Sequence, residues 1–330
     1  MPSSDPFKPA WWCPGPHMQT LWSTLFRRGL DIELTEERLE LPDGDFVDLH
    51  WTANRSGPIV VVLHGLEGCS RSPYVQGLLS VLQRAGLRGV VMHFRGCSGT
   101  PNRLPRSYHS GDTDDFAHLI ATLERREPHT PLAAVGYSLG GNVLLKWLGE
   151  TGAQTPLRAA VAVSVPFLLA HAAARVNTGF SRVYQRKLLR SMRRRIRYKL
   201  HRMPLNIKTT HLRALRSFRA FDDCVTAPLH GFRSADHYYG VASCHQYLHA
   251  ITIDTLIVHP RADPCRTQAT IPTADDLSAR VQLELYAGGG HVGFIGGRWP
   301  WQVRYWLEER IAAYLQPRLQ RTPDARPSVL

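Results

Sequence analysis

The stretch Ala134-Val135-Gly136-Tyr137-Ser138-Leu139-Gly140-Gly141-Asn142 sets one serine between glycines two residues to either side, directly after an apolar run. Leu132 to Val135 reads as a strand, and Gly141 to Leu148, GNVLLKWL, as part of a helix beginning near Asn142. Strand, sharp turn and helix in so few residues leave no room for a β-carbon at Gly136 or Gly140. The serine stands at the tip of that turn.

Outward from this turn, short β-rich runs alternate with helical patterns. Ile59 to Leu63 is a continuous apolar run, Pro73 to Ala85 carries Val75, Leu78, Leu79 and Leu82 at helical spacing, and Gly86 stops it. Val90 to Phe94 follows as a strand, Asp112 to Arg126 as a helix, and Ala159 to Val163 as another strand. After a long interruption the alternation resumes with Thr255 to Val258 and Val281 to Tyr286, and a closing helix is predicted over Trp301 to Leu315. This order predicts an α/β fold with a mostly parallel central sheet and helices on both faces, its chemistry at the carboxyl ends of the strands.

The expected organisation has an N-terminal extension (1–30) packed on a core formed by 31–165 and 249–316. A basic helical cap over 166–248 interrupts that core, and 317–330 are a flexible tail. No repeat is evident. The longest apolar stretch, Ala159 to Ala174, contains Pro166 and His171 and falls short of the ~20 residues a membrane-crossing helix needs. With no signal-peptide pattern in MPSSDPFKPAWW, a cytoplasmic protein is the expectation. Six scattered cysteines form no C-x-x-C pair, so they are expected to be reduced thiols without a metal or redox role.

The net charge of +13 is local. Fourteen of the 40 Lys and Arg lie between Arg182 and Arg219 with no Asp or Glu among them, leaving 26 against 27 acidic residues elsewhere. A near-neutral remainder argues against nucleic acid as the partner.

The turn fits the G-x-S-x-G nucleophile elbow, in which a strained serine is exposed at the top of a sheet and the following helix N-terminus favours an anionic intermediate. A serine hydroxyl is a weak nucleophile, so a histidine must take its proton and a carboxylate must orient that histidine. The chain order Ser, acid, His points to Asp263, just past the penultimate strand, and to His291 in the glycine-rich loop after the last one. Asp222, Asp223 and Asp254 are the competing acids, and sixteen histidines compete with His291. The backbone amides of Leu139 and of Leu66, in the His64-Gly65-Leu66-Glu67-Gly68 loop, are the expected oxyanion donors. His64 is expected to shape that loop. No cofactor or metal is called for.

Beyond these residues, the chain resembles the YheT-like branch of the α/β hydrolases, AB hydrolase family 4, over nearly its whole length. The likeness rests on PHMQTL (Pro16 to Leu21), HGLEGCSRSPY (His64 to Tyr74), FRGCSG (Phe94 to Gly99), Pro101-Asn102-Arg103, YHSGDTDD (Tyr108 to Asp115) and FDDCVTAPLHGF (Phe221 to Phe232). Relatives often place two aspartates before the proline where this chain has Ala262-Asp263-Pro264. The resemblance implies serine-dependent hydrolysis of carboxylic esters with short or medium acyl chains or of acylglycerols. Acyl transfer or thioester cleavage by the same triad is the alternative. A noncatalytic protein binding membranes or polyanions is the rival of another class.

In Arg182 to Met203, Leu188, Leu189, Met192, Ile196, Leu200 and Met203 share one helical face and basic residues fill much of the rest. That stripe is expected to pack as a lid over the site. Contact of its arginines with an anionic membrane is the sharper alternative.

Overall fold

The computed structural model describes residues 6–27, 30, 32–208 and 210–320. Eight strands form one sheet in the order β1-β2-β4-β3-β5-β6-β7-β8: β1 (Leu34–Glu40), β2 (Phe46–Thr52), β3 (Ile59–Leu63), β4 (Arg88–Met92), β5 (Leu132–Tyr137), β6 (Leu157–Val163), β7 (Asp254–Pro260) and β8 (Val281–Tyr286). From β4 to β8 every pairing is parallel, while β2 runs antiparallel to both β1 and β4. Strands β3 and β5 are buried along their whole length, which is why they read as unbroken apolar runs.

Helices cover both faces. On one side α2 (Pro73–Arg84) and the last helix α8 (Trp306–Gln320) pack on Val60, Val62, Val135 and Val161. On the other, α3 (Asp114–Arg126) and α4 (Leu139–Thr151) pack on Val61, Leu63, Ala134 and Ala160. The alternation of Val60 and Val62 with Val61 and Leu63 between the two clusters is the period-two geometry of a strand.

Several boundaries differ from expectation. The helix after the serine starts at Leu139, not near Asn142, because Ser138 itself occupies the N-cap and Gly140 and Gly141 lie within the first turn. The closing helix begins at Trp306, because Arg304–Tyr305 are held in a short ribbon against Ile295–Gly296. That helix runs on to Gln320, so Pro317 to Gln320 are not part of a loose tail. Residues 321–330 lie outside the described residues. Strands β1 and β2 had no counterpart in the periodicity reading.

Between β6 and β7 the chain is helical, with α5 (Leu169–Arg175), the twenty-residue α6 (Ser181–Leu200), α7 (Ala235–Ala242) and shorter turns. Leu189 and Ile196 of α6 are buried against Leu212, Leu215, Phe221 and Val225. Lys199 pins α6 to the core, its buried ammonium donating to the carbonyls of Leu104 (2.8 Å), Pro105 (3.1 Å) and Arg106 (2.5 Å). Among the described residues, no helix is long and apolar enough to cross a membrane.

Candidate active site

Ser138 sits between β5 and α4 at φ 52°, a left-handed conformation that a β-carbon disfavours. Its amide donates to Val163 of β6 at 2.8 Å, and its carbonyl accepts from Asn142 at 3.0 Å. A β-carbon on Gly140 would lie 2.4 Å from the carbonyl oxygen of Leu63, and one on Gly136 would lie 2.5 Å from that of Gly140. Both glycines are therefore steric requirements of the turn.

His291, Asp263 and Ser138 meet above the sheet. His291 Nε2 lies 2.9 Å from Ser138 Oγ, and His291 Nδ1 lies 2.9 Å from Asp263 Oδ2. The other carboxylate oxygen of Asp263 accepts from the Cys265 amide at 2.7 Å. Burial alone would raise the Asp263 pKa. The neighbouring His291 imidazole, through its charge and its hydrogen bond, and then the Arg266 guanidinium more than offset it, holding the carboxyl at about 2.

The competing acids are bonded to other partners, although Asp222 also lines the cavity above Ser138. Asp222 accepts from Thr226 and Tyr239, both at 2.7 Å, within the inserted segment, where burial raises it to about 6. Asp223 pairs with Lys208, and Asp254 with Arg280 and Arg318. His64 is fully buried between the carbonyl of Gly65 and the amide of Phe94, and burial pushes it down to about 3. It is neutral and held in place by backbone.

Leu66 and Leu139 both line a cavity of about 480 Å³ that opens above Ser138. As the first residue of α4, Leu139 has one of the four N–H groups that a helix leaves without an intrahelical acceptor. The loop holding Leu66 is fixed on its far side. Glu67, at φ 58°, donates its amide to the Tyr108 hydroxyl at 3.0 Å and pairs with Arg195 of α6 at 2.5 Å.

Three parts of the site escaped the sequence reading. The first is α1 (Gly15–Phe26), which does more than pack on the core, because it clamps the histidine loop. Thr20 Oγ1 accepts from the His291 amide at 2.8 Å, while the Gln19 side chain accepts from the Ile295 amide at 2.7 Å and donates to the Ile295 carbonyl at 3.1 Å. A β-carbon on Gly293 would come within 2.0 Å of the Gln19 carbonyl oxygen, and one on Gly290 within 2.3 Å of that of Pro16. The glycines of Gly288 to Gly293 thus let α1 press against the loop that carries the imidazole. The second is Ser164, at φ 52°, whose hydroxyl accepts from the Val292 amide at 3.0 Å.

The third is Arg266, which donates from one guanidinium nitrogen to Ser138 Oγ at 3.3 Å and from the other to the Cys265 carbonyl at 2.8 Å. Nothing in its spacing from the motif could have placed it there. Asp263, Cys265 and His291 also offer donor atoms within 4.8 Å of one another, the kind of trio that can hold a metal ion. Two of those three are already bonded to each other, and burial followed by the Asp263 charge raises the Cys265 thiol to about 12, against thiolate ligation at neutral pH.

The fold and this arrangement define a class, and comparison with known proteins agrees. The family model described as alpha/beta hydrolase fold matches residues 58–297. The chain is 46% identical over 310 residues to "Putative esterase YheT" of Escherichia coli (strain K12), covering 92% of this chain and 91% of that one. It is 30% identical over 317 residues to "Phospholipase ABHD3" of Mus musculus, covering 92% and 76%. The solved structure of Est1E from Butyrivibrio proteoclasticus aligns over 87% of this chain and 99% of that one, with a TM-score of 0.55 at 12% identity, a likeness of fold. The chain belongs to the alpha/beta hydrolase fold family, on the branch that holds the Escherichia coli relative.

Proposed function

We propose that this protein is a serine hydrolase of carboxylic esters with short or medium acyl chains. The observation that carries the reading is the hydrogen-bonded chain from Asp263 through His291 to Ser138 Oγ, both links 2.9 Å long, beneath a largely apolar cavity. Ser138 Oγ attacks the acyl carbonyl as His291 Nε2 takes its proton. Asp263, ionised, holds the imidazole through Nδ1 and stabilises the imidazolium. The proton then passes to the leaving alcohol, and water activated by the same imidazole releases the acid.

The amides of Leu66 and Leu139 are assigned to the oxyanion, each worth about 3 kcal/mol in the transition state. Arg266 adds positive charge beside the oxygen that becomes the attacking alkoxide. The names of the relatives, an esterase and a phospholipase, support acyl esters as the substrate class.

The cavity falls within the range of small-molecule sites. A panel of p-nitrophenyl esters from acetate to laurate is expected to show turnover peaking between butyrate and octanoate. Folded protein that hydrolyses none of them would sink the reading. Added alcohol that diverts product from acid to a new ester would replace hydrolysis by acyl transfer.

A further inference from the structure

Helix α6 carries Arg182, Arg186, Arg190 and Arg194 one turn apart, all exposed, along about 18 Å of its length. Among the described residues, the ion pair of this helix is Arg195 with Glu67, on its inward side. Like charges four residues apart repel along a helix, so a stripe of four with no interleaved carboxylate opposes its own folding. Its neighbours in sequence give no relief, since no acidic residue occurs between Arg182 and Arg219.

Apolar side chains stand exposed at the amino end of the same helix. Phe180 is 51% exposed and Val183 48%. His17 of α1 packs on the Phe180 ring at 4.7 Å between centroids and hydrogen-bonds the Tyr184 hydroxyl at 2.9 Å, which joins α1 and α6 into one rim. On α1, Leu25 and Phe26 are more than half exposed. Both helices also line the cavity above Ser138, through Leu21 and Thr24 of α1 and Leu188 and Met192 of α6.

We propose that this rim docks the protein on an anionic lipid bilayer. Phe180, Val183 and Leu25 enter the interface and the arginines of α6 meet headgroup phosphates. A nucleic acid would satisfy the arginines but would leave the apolar rim in water, and this favours lipid. Docking places the cavity mouth against the membrane, so an acyl ester held in the bilayer reaches Ser138 without crossing water. That last step rests on the hydrolase reading, whereas the docking does not.

The test is co-sedimentation of the full chain with phosphatidylcholine vesicles, with and without phosphatidylglycerol, at low and high salt. Duplex DNA serves as a competitor. Two variants accompany the wild type: Arg186→Glu with Arg190→Glu and Arg194→Glu, and Phe180→Ser with Val183→Ser. None of these residues lines the cavity, so both variants are expected to keep wild-type turnover of a soluble ester and a cooperative melt.

Binding selective for the anionic vesicles is expected, weakened at least roughly hundredfold by the three charge reversals, as fits a contribution per basic residue near the surface. The apolar variant should also bind more weakly. Equal binding to neutral and anionic vesicles, no binding to either, or binding that DNA abolishes and the apolar variant retains would each overturn the docking proposal. Anionic binding by a protein that turns over no soluble ester supports docking and overturns only the hydrolase reading.

Discussion

Replacement of Ser138 by alanine is expected to lower kcat for ester hydrolysis by roughly ten-thousandfold to millionfold, with KM little changed. Its Oγ is the oxygen that His291 Nε2 reaches, and Arg266 donates to the same atom. Binding of the acyl chain depends on cavity walls that the substitution leaves alone. The fold should survive, because alanine meets the same φ of 52° that serine already tolerates. His291→Ala should cost about as much, and the double variant scarcely more, if the proposed triad acts as a unit. Single-variant rates within tenfold of wild type would mean that another group is the nucleophile.

Arg95→Met should be the most damaging substitution away from the site, lowering unfolding free energy by about 3–5 kcal/mol. The Arg95 side chain is 2% exposed and forks onto Asp115 at 2.6 and 2.7 Å. It also reaches Asp43 at 2.7 Å and Asp45 at 3.1 Å. Asp45 is fully buried and accepts in addition from Asn102 at 2.6 Å and from the Arg103 amide at 2.8 Å. Without the guanidinium, two buried carboxylates lose the cation that offsets their desolvation.

A shift of the urea midpoint at constant slope reads this loss directly, against a typical total of about 5–15 kcal/mol. Arg95→Lys, which keeps the charge and loses the fork, should recover part of it. A loss under about 1 kcal/mol for Arg95→Met would show that the network contributes little. The same network gives a role to FRGCSG, Pro-Asn-Arg and YHSGDTDD, which in the sequence only marked a resemblance. They tie the loop after β4 to α3 and to the turn before β2, and that loop carries the carbonyls on which Lys199 seats α6.

How much of this was legible in the sequence depended on how local the cause is. The elbow could be read because its strand, turn and helix are contiguous in the chain and Gly136 answers to Gly140 only four residues on, and β3 and β5 because burial on both faces leaves no polar position in them. Edge strand β1, LTEERLE, is mostly exposed and rich in glutamate and leucine, a composition that favours helix; only its pairing with β2 makes it a strand. The grip of Gln19 and Thr20 on the histidine loop joins residues more than 270 positions apart. No periodicity carries such a contact. Arg266 lies three residues from Asp263, yet its approach to Ser138 follows from the path of the loop after β7, which spacing does not encode.

The proposed chemistry stands or falls with Ser138 as the activated nucleophile. Its most direct test is to treat the folded wild-type protein with a fluorophosphonate and map the modified peptide by mass spectrometry. The expected result is one adduct per chain, on Ser138, absent from Ser138→Ala and strongly slowed in His291→Ala. No adduct on folded protein, or an adduct on another residue that persists in Ser138→Ala, would contradict it.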